Sequence, residues 1–340
     1  MVGNNTRFIV LLAIGWLTLT NIACNKETPV EPNIPSLPTL TDPIPYEKLG
    51  QGKFVFKRIG PYPGEYGGLY VIDIDEQSSW GIDIGLEVSP AVSPDGQKIA
   101  TSKYSSSSEM YDIHVMNIDG TNSQNISYIE GQDRTPSWTH DSKQILFHVE
   151  AHPNFPKVPL YKQSPVKDPP DRILIKNFQS LDRVEGPFSV SPNGKLAFIK
   201  GSDICTMGMD GNNLEVLVPH PDDSSLESPA CSPDGQKVAY LSVVRDSTYR
   251  SIEIMLIDID GGNPNSLAIL EAYGGSEWSV LGLYRNVVYI CWSPDGSKLL
   301  FNKPDGDFVS HLYVISADGS GLTQITSAEG VADRCVSWSN

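Results

Sequence analysis

Carboxylates are the residues whose spacing in this chain invites a chemical reading. Five of them precede a recurring turn at nearly constant distance. Glu87, Asp133 and Glu185 lie eight residues before Asp95, Asp141 and Asn193, and Glu227 and Asp333 lie seven before Asp234 and Asn340. The turn at Asp295 has no acid there, with Val287 at the position and Arg285 nearby. Arg134 and Arg334 directly follow two of the acids. Gathered at one opening, such residues would hold a basic, cationic or polyhydroxyl ligand; spread over exposed strand ends, they would be solvated charges and nothing more. Other chemistries lack their residues. There is no Gly-x-Ser-x-Gly, no Walker loop and no His-Glu-x-x-His. His148 and His152 have a metal-pair spacing only on a helix, and here they fall on a strand end and a Pro-rich loop. Asp73-Ile74-Asp75 and Asp258-Ile259-Asp260-Gly261 lack the distal Glu of a calcium loop. The expectation is no catalytic residue, no metal and no cofactor.

The element that must position these acids is a repeated turn. Ser-Pro-Asp-Gly occurs at 93–96, 232–235 and 293–296, with Ser-Pro-Asn-Gly at 191–194 and a worn copy, Thr-His-Asp-Ser, at 139–142. Proline presets φ, Asp tolerates the second central position and Gly accepts positive φ, which makes a tight reverse turn. Apolar runs flank each copy, as in Val288–Trp292 before and Lys298–Phe301 after, so each is a strand-turn-strand hairpin. A second hairpin signal follows, Asp-Gly after an alternating apolar run, at 119–120, 210–211, 260–261 and 318–319.

Two hairpins per repeat are four antiparallel strands. The anchors recur at steps of 41 to 61 residues, and four strands in about 40–45 residues mark a β-propeller, the longer steps holding insertions. Cys335–Asn340 supplies a strand with no successor, and Gly52–Phe56 reads as a strand with no predecessor. The expected fold is all-β: a six-bladed β-propeller with four-stranded antiparallel blades, closed by the C-terminal strand joining the N-terminal blade, so that no blade edge is left bare. Both tight turns of a blade then lie on one face. The strand starts lie on the other, with the longer segments 105–110, 151–159, 243–250, 271–286 and 303–311. The mouth of the channel on that loop-rich face would be ringed by Glu87, Asp133, Arg134, Glu185, Glu227, Asp333 and Arg334. Trp138, Trp292 and Trp338 recur at one repeat position and suit packing between blades.

The repeated Ser-Pro-Asp-Gly-x-Lys-Ile/Leu and the following Leu-Tyr-Val-Ile-type run with Asp-Gly resemble the TolB-like six-bladed propeller family, over nearly all of residues 51–340. The resemblance implies the fold; its members include periplasmic protein-binding modules, peptidase-gating propellers and polysaccharide lyases, so function is left open. The worn third repeat departs from the pattern, with 164–171 in place of its Asp-Gly turn.

Residues 1–24 fall outside that fold. Arg7 precedes the apolar run Phe8–Leu19, which is short for a bilayer span and fits a secretory signal. Its end, Asn21-Ile22-Ala23-Cys24, resembles a bacterial lipoprotein signal and implies Cys24 as the lipidated residue, although Asn21 stands where Leu is usual. Residues 25–50 carry six prolines and read as a tether. The net charge of −16 disfavours nucleic acid and anionic headgroups as partners. No Cys-x-x-Cys is present, and Cys205, Cys231, Cys291 and Cys335 fall in expected strands as buried thiols. Together these features describe an exported, monomeric, non-catalytic lipoprotein of the outer membrane that binds an envelope protein or glycan. The alternative is a polysaccharide lyase or glycan hydrolase using the central channel, whose acidic mouth would repel a polyanion.

Overall fold

The computed structural model describes residues 37, 40–60, 67–83, 87–105, 109–127, 131–150, 157–166, 172–179, 184–245, 250–272, 289–306 and 309–340. The compact unit begins at Ser36. After one helical turn, α1 (Tyr46–Leu49), every element among the described residues is a strand. The first three are β1 (Lys53–Ile59), β2 (Gly68–Asp73) and β3 (Ser78–Ile82). One sheet holds β4 (Glu87–Val92), β5 (Lys98–Ser105), β6 (Met110–Asn117) and β7 (Gln124–Asn125). The next holds β8 (Gln132–Trp138), β9 (Ile145–Glu150), β10 (Lys157–Gln163) and β11 (Ile173–Gln179). Then come β12 (Val184–Val190), β13 (Lys195–Lys200), β14 (Asp203–Gly208) and β15 (Glu215–Val218). They are followed by β16 (Ser224–Cys231), β17 (Lys237–Arg245), β18 (Arg250–Asp258) and β19 (Asn265–Ala272). Last are β20 (Ile290–Trp292), β21 (Lys298–Gly306), β22 (Val309–Ser316), β23 (Thr323–Gln324) and β24 (Ala332–Ser339).

Six separate blades are the sequence expectation; the described strands instead form four separate four-stranded sheets and one eight-stranded sheet. In the latter, β20 to β23 and β24-β1-β2-β3 are antiparallel groups joined by a single parallel pair, Ser310 with Ala332. The final strand pairs antiparallel with β1, from Lys53 opposite Ser339 to Ile59 opposite Ala332. The segment 303–311, expected as loop, is mostly strand, because β21 and β22 continue pairing to Gly306 and Val309.

The turns are built as their residues dictate. Ser93 Oγ donates to Asp95 Oδ1 at 2.6 Å and accepts the Lys98 amide at 2.9 Å, while the Gly96 amide reaches Ser93 O at 2.8 Å. The same bonds recur at Ser232 and Ser293. Gly96, Gly235 and Gly296 take φ of 68°, 71° and 71°, where a side chain is strained. Ser293→Ala removes both side-chain bonds and leaves the Lys298 amide short of a partner, so it is expected to cost about 1–2 kcal/mol in urea-induced unfolding. Each such turn also accepts a bond from the Asp-Gly turn of its own sheet, as in Ile118 N to Gln97 O and Ile259 N to Gln236 O, both 2.9 Å. Both tight turns therefore share one face.

Neighbouring sheets pack through apolar residues contributed by both, for example Leu241, Ile252 and Ile254 against Ile290, Leu299 and Phe301. The recurring tryptophans tie sheets together: Trp138 Nε1 donates to Ala91 O at 2.9 Å and Trp292 Nε1 to Ala230 O at 3.0 Å. The stretch expected as a tether up to residue 50 is folded in its last part. Leu37, Leu40, Ile44 and Tyr46 pack on the cluster that contains Phe54, Phe56 and Trp338, and Leu49 is fully buried. Apolar residues between the prolines give that part a face to bury, which composition alone does not reveal. Residues 1–36, with Cys24, lie outside the described residues.

Candidate functional site

The first strands of the sheets, β4, β8, β12 and β16, together with β20 and β24, line one cavity of about 250 Å3. Its wall near the turn face is uncharged, with Pro94, Pro192, Pro233 and Pro294 around the opening and Ser137, Ser189 and Ser337 deeper along the strands. Ser337 and Ser189 hydroxyls accept the Val92 and Cys231 amides of the adjoining sheets at 3.0 and 2.8 Å. Thus the wall's own hydroxyls already hold neighbouring strands.

The expected acidic residues all fall at the other ends of these strands, but not in one ring. Glu87 is opposite Lys103, Asp133 opposite Val149 and Asp333 opposite Arg58. Glu185 and Glu227 are opposite Ile199 and Leu241, one position further along, in the register of Arg134 and Arg334, which face His148 and Lys57. Adjacent strand residues point to opposite faces. The single acidic ring is therefore corrected to two registers, one of acids alone and one of mixed charge. Two residues bulge against one partner residue in β4, β8 and β16, at Ser89-Pro90, Thr135-Pro136 and Ser228-Pro229. The bulge widens to 186–188 in β12 and shifts Glu185 by one position, whereas Glu227 is shifted because it stands seven residues before its turn instead of eight. Ser89, Thr135 and Ser228 take positive φ at these bulges.

Burial separates the residues further. Asp133 and Asp333 are fully buried, which removes them from a solvent-facing mouth. Asp333 is held by Arg58, Nε to Oδ1 at 2.7 Å and Nη2 to Oδ2 at 2.8 Å. The third arm of Arg58, Nη1, reaches Asp42 Oδ2 at 2.8 Å. Sequence reasoning missed Arg58 and Asp42; the available signal was a cation two residues after a strand Phe, seen in both Phe56-Lys57-Arg58 and Phe301-Asn302-Lys303. Glu227 is 8% exposed and accepts Ser225 Oγ at 3.3 Å. Arg134 lies 3.7 Å from the centre of the Tyr111 ring, and Tyr111 lies 5.2 Å from Tyr104. His148 bonds Thr135 Oγ1 at 2.9 Å, and burial, with Arg134 beside it, lowers its pKa to about 4, so it is neutral at pH 7. Burial and Lys103 likewise lower His114 to about 4. Among the described residues no three His, Cys, Asp or Glu side chains gather as a metal site. Cys205, Cys231 and Cys291 are free thiols, and burial pushes Cys231 up to about 11.

Residues 64–282 match the family described as the TolB beta propeller domain. The chain belongs to this family. Similar proteins include the Tol-Pal system protein TolB of Anaeromyxobacter dehalogenans, 35% identical over 138 residues in strain 2CP-1 / ATCC BAA-258 and 36% identical over 138 residues in strain 2CP-C. Each match covers 40% of this chain and 26% of the relative, so the chain spans about a quarter of the length of these TolB proteins. The crystal structure of TolB from Acinetobacter baumannii superposes with a TM-score of 0.65 at 19% identity, covering 85% of this chain and 66% of that one. An oligogalacturonate lyase in complex with manganese superposes with a TM-score of 0.50 at 13% identity, covering 87% of this chain and 86% of that one. At such identities the likeness is one of fold alone.

Proposed function

We propose that this protein is a non-catalytic binding module of the bacterial cell envelope, exported and anchored to the outer membrane through Cys24. In this reading the eight-stranded sheet is two blades, the ring has six, and β24 closes it on β1. The lining of one cavity by six first strands supports that count. The ring displays its strand-start face to an envelope protein, in keeping with the Tol-Pal membership of the TolB relatives. The observation that carries the proposal is the register shared by Arg134, Glu185, Glu227 and Arg334, charged positions from four first strands at the same end of the ring. A rigid scaffold that brings separate loops and strand ends together is where binding concentrates. Mixed charge at that end suits a protein surface better than a polyanionic glycan, which the net charge of −16 would repel.

The test uses full-length protein in its own envelope. Glu185→Gln with Glu227→Gln is expected to reduce cross-linking to its partner by about tenfold or more, the scale of losing charge-assisted contacts. Asp119→Asn, on the turn face, is expected to leave cross-linking unchanged. Equal cross-linking by the wild type and the double variant would refute this face as the binding surface. Separately, Cys24→Ser is expected to release the protein from the membrane fraction.

A further inference from the structure

Asp133 is fully buried, and neither of its carboxylate oxygens is bonded to a cation among the described residues; the Ser127 hydroxyl is the one donor that favours its ionised form. Close by, Arg172 Nη1 is buried and has no hydrogen-bond partner among the described residues. The rest of that guanidinium is engaged: Nε donates to Gln163 Oε1 at 3.2 Å and Nη2 to Ser127 O, on the neighbouring sheet, at 3.4 Å. Its central carbon stands 4.9 Å from the ring centres of both Phe147 and Tyr161.

The molecule contains a second copy of this arrangement in a different state. Asp333 occupies the register of Asp133, and Arg58 lies over Phe56 and Tyr70 at 5.7 and 5.6 Å. There the acid and the guanidinium are joined by two bonds, at 2.7 and 2.8 Å. Register explains the difference. Arg58 is directly opposite Asp333, whereas Val149 is opposite Asp133, so the cation in this sheet comes from Arg172, the residue before β11.

We propose that Asp133 and Arg172 form a proton-controlled switch. With Asp133 protonated, Arg172 stays on Gln163 and on Ser127 across the sheet interface; with Asp133 ionised, Arg172 turns onto the carboxylate, as Arg58 does on Asp333. The proton is the ligand of this site, since Asp133 is buried beside a second acid, Asp112, and is not bonded to the guanidinium near it. Burial raises Asp133 to about 7; Ser127 and Arg172 pull it down, and Asp112 of β6 adds to the rise. Asp112 is itself raised by burial, against a 2.9 Å bond from Asn125 Nδ2. β8 itself carries Arg134, and the elements packed on it carry Glu87, Lys103, His114, His148 and Glu185. His148 stays neutral through the window because its pKa is lowered to about 4. The folded protein holds the Asp133 proton to higher pH than the unfolded chain does. The resulting stability is present in acid and is lost as pH rises through about 7. The switch sits beside Arg134, so it would make the charged end of the ring sensitive to pH.

The test is a carboxyl-carbon NMR titration of the full chain, with the Arg172 Nε signal followed in parallel. Asp133 is expected to titrate near 7 and Arg172 Nε to move with the same midpoint. Arg172→Gln is expected to raise the Asp133 midpoint by about one unit or more, the shift expected on losing a nearby opposite charge. Asp133→Asn is expected to abolish the pH response of Arg172. Titration of Asp133 below about 5, in the range of ordinary carboxylates, would overturn the switch. So would an Arg172 signal indifferent to pH. The wild-type titration decides the matter even if a variant fails to fold.

Discussion

Replacing Arg58 with alanine is expected to destabilise the protein by about 3–5 kcal/mol, the cost of leaving a buried charge without its partner. Two acids would be stranded. The side chains of Asp42 and Asp333 have no exposure, against 11% for Arg58. Asp42 also accepts the Ser327 and Ala328 amides at 2.6 and 2.8 Å, so Arg58 fastens the segment before β1 to the strand that pairs beside it. Arg58→Lys keeps the charge and loses the planar fork, and it is expected to lie between the alanine variant and the wild type. The pH dependence has a definite sign. Burial pushes Asp42 up, but the two amides and Arg58 outweigh it and leave the pKa below the usual carboxylate value. This contribution is therefore present above the unfolded pKa of about 4 and is lost as pH falls further. Urea denaturation at pH 7 and in acid measures both effects; a loss under about 1 kcal/mol at pH 7 would rank this triad with exposed ion pairs.

The other large effect is expected at Phe54. Phe54→Ala should cost about 3–5 kcal/mol, the range for emptying a packed aromatic site. Phe54 is fully buried and stands opposite Trp338, with ring centres 5.9 Å apart, and the Phe56 ring is 6.2 Å away. Backbone contact at this join is as tight. Gly52 has φ of 90°, and a Cβ there would stand 2.1 Å from Ser339 O. Limited proteolysis should then cut β24 in Phe54→Ala under conditions that spare the wild type. Unaltered resistance together with unaltered stability would show that the pairing of β24 with β1 does not depend on this ring.

The two variants act on parts of the chain that differ in how plainly the sequence announces them. Phe54 and Trp338 belong to apolar strand runs next to turn signals, so their pairing could be expected before any coordinates. Arg58, Asp42 and Arg172 could not be found that way. Arg58 is bonded to Asp333, 275 residues away, and a cation two residues after a strand Phe does not say which acid will pair with it. The acids were found as residues but misplaced as a group. Counting back from Asn193 assumes that strands advance evenly, and the wider bulge at 186–188 breaks that assumption, while the count of seven at Glu227 is itself one position short of the eight at Glu87 and Asp133. Because side-chain direction alternates with every residue, an offset of one position moved Glu185 and Glu227 to the register of Arg134 and Arg334.

Local chemistry was sufficient for the turns and strands. Pro, Asp and Gly at fixed spacing determine a reverse turn wherever they stand, and short continuous apolar runs such as Leu69–Ile72 determine strands with two buried faces. From repetition of those units the sequence by itself determined an all-β propeller and the face on which its turns lie. Only the tertiary structure decided which charges are exposed, which are paired and which, like Asp133, are buried without a bond to a cation. Those outcomes depend on the register between strands and on the packing of one sheet against another, and both are set by contacts between residues far apart in the chain.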